Sequence, residues 1–158
     1  MAEPANNQPV VVTGASGFIA KFVIAELLRR GFAVRGTVRS LAKADSIRVA
    51  VARAGANPGP LSFATADLMR DEGWDLALDG ACAVIHTASP FPVQQPDNPD
   101  DVIAPAREGT LRVLIAAQRA GVPRVVLTSS TVAVMYAGPT RPDTFLPRPT
   151  LRMRRAMD

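Results

Sequence analysis

The chain has 158 residues, 47% of them apolar, which suits a single domain with a core large enough to fold alone. No stretch approaches the roughly 20 consecutive apolar residues of a membrane helix, and the polar start, Met1 to Gln8, lacks the apolar run of a secretory leader, so a cytoplasmic protein without a membrane partner is expected. The net charge of +4 invites a nucleic-acid reading, but Arg141, Arg148, Arg152, Arg154 and Arg155 lie beyond Pro139 against only Asp143 and Asp158 there, which leaves the body almost neutral and disfavours nucleic acid as a partner.

Val10 to Thr13 is a short β-branched run that reads as a strand. After a glycine-bearing turn, Phe18, Ile19, Phe22 and Val23 recur at helical spacing as far as Arg29 and Arg30, and Gly31 is placed to take a left-handed conformation at the helix end. Phe32 to Val38 predicts a second strand and Leu41 to Ala54 a second helix. Gly55, Asn57, Pro58, Gly59 and Pro60 then break the chain before a third strand, Leu61 to Ala64. A short helix around Trp74 to Leu78 leads to Ala81 to Thr87, a fourth strand whose unalternating apolar run predicts cover on both faces. Cys82, the lone cysteine, falls within it and reads as a buried position. A proline-rich loop, Ser89 to Pro99, precedes a long helix from Asp100 to Ala120, with Leu111, Leu114, Ile115 and Ala117 on its apolar side and Gly121 and Pro123 beyond its end. Arg124 to Thr128 predicts a fifth strand.

Five strands alternating with helices imply a Rossmann-type, doubly wound α/β fold: a parallel sheet with right-handed crossovers and helices on both faces. The expected strand order is 3-2-1-4-5, which puts a ligand crevice at the carboxyl ends of strands one and four.

At the first strand-to-helix junction stands Gly14-Ala15-Ser16-Gly17-Phe18-Ile19-Ala20. Gly14 permits the sharp turn, Gly17 allows a pyrophosphate to approach the backbone, and Ala20 lets helix and strand pack closely, while the helix end attracts phosphate. Gly14, Ala15, Ser16, Gly17, Phe18 and Ile19 are therefore candidate dinucleotide contacts. Near the end of strand two, an enzyme that prefers NAD usually carries an acidic residue for the ribose hydroxyls. Here Arg39 stands instead, with Ser40 and Lys43 as further donors, which favours NADP(H) over NAD(H).

These residues, together with Ala66-Asp67-Leu68, His86-Thr87-Ala88-Ser89-Pro90-Phe91-Pro92, Glu108-Gly109-Thr110 and Val126-Leu127-Thr128-Ser129-Ser130, resemble the extended short-chain dehydrogenase/reductases. Within that family the chain looks most like the dihydroflavonol reductase and NADPH-dependent carbonyl reductase branch, with the sugar epimerases and dehydratases as another possibility. The resemblance covers about Val10 to Gly138. It implies that Asp67 and Leu68 contact the adenine, that Ala88 and Ser89 line the crossing between the dinucleotide halves, that Thr87 and Thr128 also contact the cofactor, and that Ser130 orients the oxygen of a small carbonyl or alcohol substrate. The plainer readings are a turn aspartate for Asp67 and a strand-end hydroxyl for Ser130. Phe91 and Pro92 either touch substrate or fill the loop. His86, the only histidine, has no companion ligands in the sequence pattern and reads as a satisfied core residue, so no metal site is expected.

In this family a tyrosine moves the hydroxyl proton and a lysine four residues later lowers its pKa, from about 10 toward the working pH. The only tyrosine here, Tyr136, is followed four residues later by Thr140, and both lysines, Lys21 and Lys43, precede the third strand. The expected organisation is therefore a disordered start at 1–8, a partial dinucleotide-binding domain at 9–138 without the family's C-terminal strands and substrate lobe, and an irregular tail at 139–158. A truncated or frameshifted, catalytically incomplete reductase is the first expectation. A non-catalytic binding module with a basic tail is the alternative, as is a fragment of an NAD-dependent epimerase or dehydratase. An unpaired edge on strand five predicts self-association.

Overall fold

Short β-branched runs and the apolar stripes between them become strands β1 (Val10–Thr13), β2 (Val34–Val38), β3 (Leu61–Thr65), β4 (Ala83–His86) and β5 (Val125–Leu127), with helices α1 (Phe18–Arg29), α2 (Ala44–Arg53), α3 (Trp74–Leu78) and α4 (Asp100–Arg119). The structure is a computed structural model that describes residues 8–90, 98 and 100–131. All five strands are parallel and lie in the order β3-β2-β1-β4-β5, as the alternation of strands and helices predicts. The described residues up to Leu127 form one compact unit, and Thr128 begins a second.

The alternation along β1 builds a core on each face of the sheet. Val12 joins Ile24 of α1 and Ile47 and Val51 of α2, whereas Val11 joins Trp74 and Leu78 of α3 and Val113, Ala116 and Ala117 of α4. Gly31 takes φ +82° at the end of α1, the left-handed conformation expected there.

Several local expectations need correction. The second helix is divided: Leu41–Lys43 forms a 3-10 turn, capped by the Ser40 hydroxyl accepting from Ala42 N–H, before α2 begins. Phe18, Ile19 and Phe22 lie on the exposed side of α1, while Ala20, Ile24, Ala25 and Leu28 are buried. Likewise Leu111 and Ile115 are exposed on α4, whose inward stripe is Gly109, Val113, Ala116 and Ala117. Both helices carry apolar residues around more than one side, and the smaller set faces the sheet because it permits close approach. In β4, Val84 and His86 are buried but Ala83 and Ile85 are only half-buried, so the predicted cover on both faces is incomplete among the described residues. Cys82 is half-buried and precedes β4, with its thiol 3.4 Å from the Gln8 carbonyl. The tail at 139–158, Tyr136, Phe91 and Pro92 lie outside the described residues.

Candidate functional site

From adjacent strands the chain leaves β1 toward α1 on one face and β4 toward α4 on the other, so a crevice opens between their carboxyl ends. A cleft of about 590 Å³ occupies it. Its walls are Gly14, Ser16 and Gly17 from the first turn, Thr37 and Arg39 at the end of β2, Ala66 to Met69 after β3, and Thr87 to Pro90 after β4, with Trp74, Asp101 and Pro105 completing the lining.

The first turn is held through its own backbone N–H groups, which reach Thr37 of β2 and the turn itself. Gly14 N–H donates to Thr37 Oγ1 at 3.1 Å, Ala15 N–H to the Thr37 carbonyl at 2.9 Å, and Gly17 N–H to the Gly14 carbonyl at 2.8 Å. Gly14 has φ +67°, and a Cβ on it would lie 3.0 Å from Ala88 Cβ, so a side chain there would be strained in conformation and crowded against Ala88. Gly17 has an ordinary extended backbone, φ −67° and ψ 157°, and an added Cβ would meet the Gly14 carbonyl at 3.1 Å and Ala20 Cβ at 3.9 Å. Gly17 precedes α1 without a side-chain cap, and the first turn of α1 holds no acidic residue. The leading N–H groups of the helix and its dipole therefore present an open positive end to the cleft, a fit for phosphate.

The facing wall is tied to β1. Thr13 Oγ1 accepts from Thr87 N–H and Ala88 N–H, each at 3.1 Å, and lies 2.8 Å from His86 Nδ1, while Thr87 Oγ1 donates to the Thr13 carbonyl at 2.6 Å. His86 is buried, and that burial pushes its pKa below the ordinary 6.5. The expected satisfied core histidine is only half satisfied, because its Nε2 has no partner among the described residues.

The third wall is a braced loop. Asp67 Oδ1 accepts from Met69 N–H at 3.0 Å, which makes Asp67 a turn residue as well as a cleft residue. Trp74 Nε1–H donates to the carbonyls of Asp67 and Arg70 at 3.0 and 3.1 Å. Arg112 of α4 donates to the Leu68 carbonyl at 2.9 Å and pairs with Asp71. A Cβ on Gly109 would lie 2.9 Å from Leu68 Cβ, so the missing side chain lets α4 press against the loop.

Of the residues singled out from the sequence, Gly14, Ser16, Gly17, Arg39, Asp67, Leu68, Thr87, Ala88 and Ser89 converge on this one cleft. Ala15 does not line it: the residue is fully buried, its N–H is taken by Thr37, and it packs where a Cβ on Gly36 would lie 2.6 Å away. Phe18 and Ile19 contribute the open helix end while their side chains are exposed. Ser40 and Lys43 sit in the neighbouring 3-10 turn rather than in the cleft lining. Thr128 and Ser130 belong to the second unit. Thr37, Met69, Trp74, Asp101 and Pro105 were not anticipated. Only Thr37 carried a sequence signal, a polar residue two positions before Arg39 in an otherwise buried strand.

Residues 10–152 match the NAD dependent epimerase/dehydratase family. The chain is 38% identical over 138 residues to a dihydroflavonol 4-reductase of Hordeum vulgare, covering 87% of this chain and 39% of that protein. It is 40% identical over 141 residues to cinnamoyl-CoA reductase 1 of Arabidopsis thaliana, covering 89% of this chain and 39% of the relative. It thus spans about two fifths of the length of these curated relatives. Its fold superposes on the crystal structure of a yeast methylglyoxal/isovaleraldehyde reductase complexed with NADPH, with a TM-score of 0.68 and 31% identity over 80% of this chain and 38% of that one. With strand order, phosphate turn and sequence in agreement, the chain belongs to the NAD dependent epimerase/dehydratase family.

Proposed function

We propose that this chain binds NADP(H) in the crevice between β1 and β4, as the dinucleotide-holding portion of an oxidoreductase acting on a small carbonyl or alcohol. The observation that carries the reading is the uncapped positive end of α1 beside Gly14 and Gly17, in the same cleft as Arg39. The phosphate turn would hold the pyrophosphate, Arg39 the 2′-phosphate, and the Asp67–Leu68 loop the adenine. Ser40 and Lys43 would add positive charge and donors near Arg39. Thr87 to Ser89 would line the central crossing; the family resemblance, taken separately, assigns Thr128 to the cofactor and Ser130 to the substrate oxygen. The bound nicotinamide supplies or accepts hydride. Without a Tyr-x-x-x-Lys pair, the chain by itself holds the cofactor but does not move the hydroxyl proton efficiently. The half-exposed Val126 and Leu127 on β5 support self-association of this chain.

Titration with NADPH and NADH, followed by nicotinamide fluorescence, tests the reading. NADPH should bind about tenfold or more tightly than NADH, and Arg39→Ala should erase the difference, the expected size of one charge-assisted contact. Equal affinities in the unaltered chain would replace NADP(H) by NAD(H); binding of neither would sink the dinucleotide reading. Carbonyl-dependent oxidation of NADPH at an ordinary enzymatic rate would overturn the catalytic incompleteness.

A further inference from the structure

We infer that His86 is a positioning residue for the dinucleotide crevice: as the neutral Nε2–H tautomer it accepts the Thr13 hydroxyl proton, which turns both Thr13 lone pairs toward the Thr87 and Ala88 N–H groups. The assignment follows from donor and acceptor capacity. A hydroxyl offers one proton and two lone pairs. Thr87 N–H and Ala88 N–H, both donors, already occupy Thr13 Oγ1 at 3.1 Å each. The remaining Thr13 proton therefore goes to His86 Nδ1, 2.8 Å away, which must be the bare nitrogen. The ring proton is left on Nε2, which is buried and unpartnered among the described residues.

This polarity reaches the cleft because Ala88 faces Gly14, where an added Cβ would come within 3.0 Å of Ala88 Cβ. The separation of the phosphate turn from the 87–90 wall is thus fixed through Thr13. A proton on Nδ1 would confront the Thr13 proton and force the hydroxyl to rotate away from at least one of its two N–H donors. Among the described residues nothing charged on the buried sides of the neighbouring helices compensates: α3 presents Trp74, Ala77 and Leu78, and α4 presents Gly109, Val113, Ala116 and Ala117. The charged residues of α4 nearest that stripe are Glu108, which is exposed, and Arg112, which is engaged by Asp71 and the Leu68 carbonyl. Burial pushes the ring's pKa down and favours the neutral form.

The effect on a ligand rests on the dinucleotide reading, but the tautomer does not. Because His86 is the only histidine, ¹⁵N NMR of the full chain reports one imidazole. A protonated Nε2 with a bare Nδ1 near pH 7 is expected; an Nδ1–H tautomer or an imidazolium overturns the inference. Hydrogen exchange provides the second readout. In His86→Leu, which removes the acceptor, the Thr87 and Ala88 amides should exchange about tenfold faster relative to the Val84 amide, which bonds the Arg124 carbonyl at 2.9 Å. His86→Asn, whose Oδ1 can accept from Thr13, should restore protection, and NADPH affinity should fall about tenfold in the first variant but not in the second. Equal exchange in all three proteins overturns the positioning role, and the unaltered chain's spectrum decides the tautomer even if His86→Leu does not fold. Failure of the unaltered chain to bind NADPH would count against the dinucleotide reading alone, since the imidazole and amide signals need no ligand.

Discussion

At Gly17 a side chain would bear on both the turn and the cleft, by different amounts. Its backbone is extended and any amino acid could adopt it, but an added Cβ would lie 3.1 Å from the Gly14 carbonyl, so Gly17→Val should lower stability by about 1 kcal/mol, read by thermal unfolding, while leaving the chain folded. The same side chain would occupy the approach of a pyrophosphate, and NADPH affinity should be lost; retained affinity would show that the phosphate turn is misassigned. His86 gives a complementary prediction in pH. Its folded pKa lies below the unfolded value of 6.5, so the unfolded chain takes up a proton first. The stability that the neutral ring contributes is complete above pH 6.5 and is lost as pH falls from there through the folded pKa. The melting temperature of the unaltered chain should therefore fall more steeply below pH 6.5 than that of His86→Asn, which has no titrating ring. Parallel curves would contradict it. At this scale the sequence was legible where the backbone does the work, as at Gly14 and Gly17. It was not legible at His86, whose partner Thr13 is 73 residues away.

The loop after β3 is positioned by elements rather than by its own sequence. Trp74 at the start of α3 ties two of its carbonyls, and Arg112 of α4 ties a third. Gly109→Val would drive a branched side chain into Leu68, whose Cβ would be 2.9 Å from even the first added carbon. The expected cost is about 1–3 kcal/mol of stability from overpacking, read by denaturant unfolding, together with weaker NADPH binding on the adenine side. A variant with unchanged stability and affinity would show that α4 does not set the loop's place. The helices also explain why apolar spacing alone did not single out the buried stripes of α1 and α4, although Ala117 on α4 was placed correctly. Each carries large apolar residues outside its buried stripe, and close packing on the sheet favours the stripe that includes Ala20 and Ala25, or Gly109, Ala116 and Ala117.

Across the whole molecule, β3 and β5 are the edges of the described sheet, and Val126 and Leu127 are both 49% exposed. Sedimentation velocity of the chain over a concentration series should show self-association, and a monomer at all concentrations would contradict it. The strand order, the parallel sheet and the cleft at the ends of β1 and β4 were determined by the sequence alone. Local periodicity marks each element, crossovers of one hand leave few ways to connect them, and the Gly14–Ala20 turn marks the end of the sheet where the cleft opens. Only the tertiary structure decided which faces of α1 and α4 turn inward, that Ala15 is sealed beneath β2, that Trp74 and Arg112 brace the 67–71 loop, and that His86 meets Thr13 at the opposite wall. Those features depend on contacts between residues distant in the chain, where shape and donor–acceptor balance decide the outcome and local pattern carries no record of the partner.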